Sequence, residues 1–220
     1  MITSELIQIQ IPILYLSDSI STAIKFFDDY KLSQIPVFGE EGFIGLVEED
    51  VVLGCEENKT IEHLTNSFLK YSIHEEEHLF NALSYFSKYK LCILPVIDAN
   101  EKYLGCIRDT NLFYKTCEWL NVDGLEGLLH LEIEQQNYSL AQIAQIVESN
   151  GAKIMSCVCI PKKNQPTIAE IILKINKEEL SSIIHTFERY EYKIIASYHK
   201  NIHQKGLDDR FNSFIRYLNV

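Results

Sequence analysis

"LSQIPVFGEEGFIGLVEED" occupies residues 32–50, and "LCILPVIDANEKYLGCIRDT" occupies residues 91–110. Laid one on the other, Pro36-Val37 falls on Pro95-Val96, 59 residues later. After one inserted residue in the turn, Gly45 falls on Gly105, 60 residues later. The match extends upstream, with Ala23 on Ala82, Phe27 on Phe86, and Tyr30-Lys31-Leu32 on Tyr89-Lys90-Leu91. Self-similarity of this kind means that one supersecondary design is used twice.

Each copy spells the same order. Ile20, Ala23, Ile24 and Phe27 recur at helical spacing, and Leu79, Ala82, Leu83 and Phe86 repeat them. A short apolar strand follows, Ile35 to Phe38 or Ile93 to Ile97, then a turn, Gly39-Glu40-Glu41-Gly42 or Asp98-Ala99-Asn100-Glu101. The next strand carries the glycine, and a second helix opens near Asp50 or Asp109. The order is strand, helix, strand, strand, helix. Neither copy has enough apolar residues for a core of its own, so the two are expected to pack together.

The repeat resembles the CBS domain, which occurs in tandem pairs; the resemblance covers about residues 7–118. The "LSQIPVF" and "LCILPVI" strands, the Gly45 and Gly105 strands and the helix-opening segments after them carry it.

The segment "IHEEEHL" (73–79) satisfies H-E-x-x-H, the pattern of zinc hydrolases that hold metal with two histidines on one helical turn. The repeat overrides that reading. His74 to His78 align with Tyr15-Leu16-Ser17-Asp18-Ser19, whose Ser, Asp and Ser are helix-capping residues, so the segment is expected to be a strand end and loop. A metal-dependent hydrolase is not expected.

The second half changes pattern. In "LLHLEIE" (128–134), Leu129, Leu131 and Ile133 share one face and His130, Glu132 and Glu134 the other. "SLAQIAQIVESNG" (139–151) reads as a helix capped by Ser139, burying Leu140, Ile143, Ala144 and Val147, and stopped by Gly151. Strands follow at "KIMSCVCIP" and "TIAEIILKI", then a helix "ELSSIIHTFERYE" introduced by Asn176 and Glu179 in a capping arrangement, then a strand "YKIIASYH". The order βαββαβ is that of a ferredoxin-like sandwich. This part resembles an ACT regulatory domain. Amino-acid-binding ACT domains carry a glycine just ahead of the first helix; here Tyr138 occupies that place, which favours a dimerisation sheet. Leu207, Phe211, Phe214, Ile215 and Leu218 form one apolar face of a closing helix. Trp119 to Gly124 marks the hinge between the halves.

The expected fold class is α+β: a tandem CBS-domain pair, a ferredoxin-like ACT-like domain and a C-terminal helix. The expected boundaries are 1–58 and 59–120 for the CBS units, 127–200 for the ACT-like domain and 201–220 for the docking helix. This order resembles the acetoin-utilisation family of CBS–ACT proteins.

The bulk properties narrow the partners. Of 220 residues 46% are hydrophobic, and the formal net charge is −11. That acidity argues against nucleic acid, which demands a basic stripe. No stretch is long and apolar enough to span a membrane, and the N-terminus lacks the basic and apolar regions of a signal peptide, so a cytoplasmic location is expected. Six cysteines at 55, 92, 106, 117, 157 and 159 form no C-x-x-C pair and read as reduced, mostly buried thiols. Cys157 and Cys159 would share one side of a strand. No catalytic set is visible, so no enzymatic activity is expected.

The CBS resemblance implies where a ligand would bind. In that family a Ser/Thr three residues after the strand glycine contacts phosphate, and an Asp six residues after it holds the ribose. The first unit has Glu48 and Val51 there, which would repel phosphate and offer ribose nothing. The second has Arg108 and Asn111, which suit phosphate and ribose. Candidate ligand-binding residues are therefore Arg108 and Asn111, with Ile93 and Pro95 on the adjoining strand. The implied protein is a regulatory sensor and homodimer binding an adenosine-containing ligand such as AMP; the alternative is a ligand-free scaffold dimer.

Overall fold

The computed structural model describes residues 2–8, 10–122, 124 and 127–198. The chain divides into two compact units, Met1–Thr116 and Cys117–Val220.

The first unit contains both repeats. The first repeat comprises β1 (Leu14–Tyr15), α1 (Ile20–Tyr30), β2 (Gln34–Gly39), β3 (Gly42–Glu48) and α2 (Glu49–Leu53). The second comprises β4 (Ile73–His74), α3 (Leu79–Tyr89), β5 (Ile93–Ile97), β6 (Tyr103–Arg108) and α4 (Asp109–Trp119). Each makes a three-stranded sheet in which a short parallel strand flanks an antiparallel hairpin. Helix α1 starts where the Ser19 hydroxyl accepts the N–H of Thr22, and it buries Ile20, Ala23 and Phe27. It ends at Lys31, in the left-handed region with φ 51°; Lys90 ends α3 in the same way with φ 56°. One apolar cluster runs through both repeats, from Leu14, Ile20 and Leu46 to Leu79, Ile93 and Ile107.

Segments flanking the repeats also cross between them, each through an isolated β-bridge. The segment leading into the second repeat joins the first repeat's sheet: Leu46 N–H donates to Leu69 O at 2.8 Å, and Leu69 N–H donates back at 2.9 Å. The N-terminal segment joins the second repeat's sheet, with Gln8 N–H donating to Cys106 O at 2.8 Å and Cys106 N–H donating to Gln8 O at 3.2 Å. The repeated glycines make room for these crossings. Gly105 has φ +144°, and a Cβ there would lie 2.5 Å from Ile7 Cγ2 and 2.9 Å from Gln8 O. Gly45 has φ +154°, and its Cβ would lie 3.0 Å from Leu69 O. Only glycine combines that backbone with that proximity.

The second unit is β7 (Gly127–Glu134), α5 (Leu140–Ser149), β8 (Ile154–Pro161), β9 (Ile168–Ile175), α6 (Ser181–Arg189) and β10 (Lys193–Tyr198). Its antiparallel sheet has the order β10-β7-β9-β8, the ferredoxin-like arrangement. Leu129, Leu131, Ile171 and Leu173 from the sheet and Ile143, Val147, Ile183 and Phe187 from the helices form its core. The fold class is thus α+β, as the sequence implies.

Three details differ from the sequence reading. Leu140 is exposed and Ile146 is buried, because the helix presents Ile143, Ile146 and Val147 to the sheet. Asn176 does not cap α6: its side-chain oxygen accepts the N–H of Lys153, and the N–H of Ser181 goes to the Glu179 carboxylate. The cysteines are all free, but Cys106 alone is fully buried, and Cys159, on an edge strand, is exposed. The apolar helix expected at 201–220 lies outside the described residues.

Candidate functional site

The H-E-x-x-H segment has no helical zinc geometry. His74 ends β4, Glu77 N–H closes a turn onto His74 O, and His78 is the N-cap of α3, its Nδ1 accepting the N–H of Phe80 at 3.3 Å. His78 thus stands where Ser19 stands in the first repeat, as the alignment requires. Thr3, fully buried, donates its hydroxyl to His74 O at 2.6 Å and tethers the N-terminal segment over this turn. Among the described residues no three His, Cys, Asp or Glu side chains are grouped to hold a metal ion.

The two ligand positions implied by the repeat are built differently. In both repeats the residue three after the glycine ends the strand: Glu48 ends β3 and Arg108 ends β6. Glu48 lies opposite Gln34 in register, and the Gln34 amide donates to its carboxylate at 3.5 Å. Gln34, itself buried, also accepts the N–H of Cys92 at 2.7 Å, so this end of the first repeat is closed by its own polar groups. Arg108 lies opposite Ile93, a fully buried apolar residue that offers the guanidinium no partner. Arg108 Nε is buried and has no hydrogen-bond acceptor among the described residues. Asn111, half-buried, sits in the first turn of α4, one turn beyond Arg108. Pro95 is buried in β5 opposite Cys106. Arg108 and Asn111 are thus half-buried at the strand–helix junction, while Ile93 and Pro95 are buried in β5.

Two cavities of about 330 Å³ each lie on the first unit. One is formed by Asp109, Thr110, Phe113 and Tyr114, at the start of α4. The other lies where the repeats meet, against Lys31, Ser33, Glu49 and Cys92. A larger one, about 630 Å³, belongs to the second unit, between the ends of β7 and β10 and the start of α5, lined by Glu132, Glu134, Gln142 and Tyr192 among others.

The sequence reading missed a charge network on the open face of the second sheet. Glu132 receives both Lys162 and Lys193, Lys162 also reaches Glu170 at 3.2 Å, and Glu170 meets His130 Nε2 at 3.1 Å. Hydrogen bonds from Lys162 and then Lys193 hold the Glu132 carboxyl down at about 2. The alternation in "HLEIE" marks the polar face, but the partners come from strand register and a loop lysine, which periodicity does not reveal. Tyr138 packs against the core of this unit, and burial followed by the neighbouring Cys157 raises its hydroxyl above the ordinary range.

A repeated strand–helix–strand–strand–helix unit with exchanged segments, followed by a ferredoxin-like sandwich, defines a two-part α+β protein of paired repeats. The sequence model of the CBS domain matches residues 4–54 and again residues 66–115, so the first unit is a tandem pair of CBS domains. Similar solved structures include a CBS domain pair/ACT domain protein from Thermotoga maritima, at 20% identity over 54% of this chain and 98% of that one, with a TM-score of 0.49. The CBS domains of a transcriptional regulator from Streptococcus pneumoniae match at 13% identity over 52% of this chain and 98% of that one, with a TM-score of 0.47. CBSX2 in complex with AMP matches at 16% identity over 53% and 96%, with a TM-score of 0.47. No curated protein matches the chain. Among the described residues no helix is long and apolar enough to cross a membrane.

Proposed function

We propose that this chain is a non-catalytic regulatory protein whose CBS pair takes an adenosine-containing ligand at the junction of β6 and α4. The buried, unpartnered Arg108 Nε carries the reading. A guanidinium N–H shielded from water without an acceptor is costly, and a phosphate oxygen would supply what is missing. Asn111, one turn on, would meet ribose hydroxyls, and Ile93 and Pro95 would supply apolar surface. The acidic surroundings favour few phosphates, hence AMP over ATP. The repeats are taken as 1–58 and 59–120. Residues 127–200 are taken as an ACT-like module for dimerisation or regulation, with Tyr138 filling the place of that family's ligand-admitting glycine. The order of modules supports kinship with acetoin-utilisation CBS–ACT proteins. Six free thiols suit the cytoplasm.

A homodimer completes the proposal. Leu53 on α2 and Phe113 on α4 occupy equivalent positions in the two repeats and are 58% and 64% exposed, with Tyr114 beside Phe113. Such paired apolar residues suit an isologous contact.

Titration calorimetry with AMP tests the ligand. Arg108→Ala should weaken binding roughly ten- to a hundredfold, the loss of one charge-assisted contact of about 1.5–3 kcal/mol, while Glu48→Ala should leave it unchanged. Equal affinity for wild type and Arg108→Ala would remove Arg108 from the site. Absence of binding by AMP and its di- and triphosphate would leave the scaffold dimer as the reading.

A further inference from the structure

Helices α5 and α6 pack on one face of the second unit's sheet, and strand register orders the other face in rows. One end row is Tyr198, Leu128, Lys174 and Ser156; the next is Ala196, His130, Ile172 and Val158. Glu132 and Glu170, the next pair in register, begin the charge network. The end where the described chain stops is therefore mainly apolar. Leu128, Ile172, Val158 and Ala196 are half-buried there, although both helices lie on the far side of the sheet. Lys174, in the midst of them, is only 8% exposed. Lysine reaches such depth only when its charge is matched.

From these features we infer that residues 207–218 form an amphipathic helix that docks over this end of the sheet. Leu207, Phe211, Phe214, Ile215 and Leu218 would meet the apolar rows, and Asp208 would supply the counter-charge to Lys174. Asp208 stands three residues before Phe211 and seven before Ile215, so helical spacing sets it on the flank of the apolar stripe. The dimensions fit. Twelve helical residues span about 18 Å, against about 14 Å from the first to the last of four strands. The link 199–206 reaches up to about 26 Å, ample for the chain to turn back from Tyr198. The chain's own tail fits this surface better than a second copy does. Two-fold packing would set Lys174 near its own copy, whereas the tail brings an acid. The tether holds the segment at an effective concentration of order millimolar, and the patch is small beside the roughly 800 Å² per partner of a stable interface. The inference is independent of the ligand reading at Arg108 and of the homodimer.

Acetylation of Lys174 by a small amine-reactive ester, followed by peptide mass spectrometry on the full chain, tests this. In the wild type the reaction should be slow at every protein concentration. The double variant Phe211→Asp, Phe214→Asp should quicken it at least about tenfold, because the amine no longer waits for the segment to lift. Hydrogen exchange in the cores of β7 and β9 should stay slow in that variant. Ser213→Asp, which adds a charge on the opposite side of the helix, should change nothing. Should the double variant lose its slow core amides, Asp208→Lys decides in the same way, since it keeps the apolar stripe and opposes the ion pair. Fast acetylation in the wild type would show that nothing covers the face and would overturn the inference. Slow acetylation in all variants would assign the cover to another segment of the chain, and protection lost on dilution would assign it to a second copy; either result overturns the inference as well.

Discussion

The side-chain oxygen of Gln34 in the first repeat accepts the backbone N–H of Cys92 in the second at 2.7 Å, and the N–H of Ser33 points to Cys92 Sγ at 3.3 Å. Ser33 and Cys92 are equivalent residues of the two repeats, so the seam is asymmetric at the level of chemistry although symmetric in backbone. Gln34→Ala should leave the Cys92 N–H without its acceptor and destabilise the CBS pair by about 1–3 kcal/mol. A urea midpoint equal to wild type, with an unchanged slope, would deny the bond any role in stability.

Gly105→Ala should be more damaging than Gly45→Ala. Both positions have positive φ, but the added methyl at 105 meets Ile7 and Gln8 at closer range. A loss of roughly 2–4 kcal/mol is expected at 105, from strain and overpacking together. Exchange in residues 2–8 should quicken in the variant, since the N-terminal segment is what the methyl displaces. Equal midpoints for the two alanine variants would refute the crowding argument.

His74→Ala should leave stability unaffected, because its carbonyl, not its exposed imidazole, anchors Thr3. His78→Ala removes the cap of α3 and should cost about 0.5–1 kcal/mol, recovered by His78→Ser. Zinc content of the purified protein should not respond to either change; stoichiometric zinc lost in the double variant would restore the metalloenzyme reading.

Acid should loosen the second unit through Glu132. Its folded value, about 2, lies below its ordinary 4.5. The stabilisation is therefore fully present above 4.5 and fades as pH falls from there towards 2. Glu132→Gln should lower stability at neutral pH and flatten the acid dependence in that window. A variant whose melting temperature falls between pH 5 and 2.5 as steeply as that of wild type would place the acid sensitivity elsewhere.

Thiol reactivity should separate the cysteines. Burial pushes the Cys106 thiol up to about 12, and its side chain is out of reach of solvent. Cys159 is exposed. A maleimide at neutral pH should modify Cys159 early and Cys106 only on unfolding; early labelling of Cys106 in the native protein would contradict the packing around β6.

The repeat, its helices and its hairpins were legible because helical spacing and strand glycines are local signals, and two copies corroborate each other. The order βαββαβ was legible from alternation and from Ser139 and Gly151 at the ends of α5. The exchanged crossings were not, because Ile7 and Leu69 carry no local mark of the sheet they join. Asn176 misled because a residue that suits a helix cap suits a loop tie equally well. At the candidate site Arg108 and Asn111 could be placed by counting from Gly105. The difference between Glu48, engaged by Gln34, and Arg108, left against Ile93, needed the register of both hairpins.

The crossing of Gln8 to Cys106 also sets an order of events during synthesis. When the first repeat leaves the ribosome its own final strand partner, Leu69, follows soon after, but Gln8 must wait for nearly a hundred further residues before it can bond. Contacts of such long sequence separation slow folding, since the closure entropy precedes any reward. Gln8, and apolar Ile7 beside it, therefore stay without this partner until Cys106 has been made, and a chain truncated before β6 would keep them so permanently. The same crossing makes the two repeats inseparable by excision, since either one cut out alone would leave its inner strand with a vacant side.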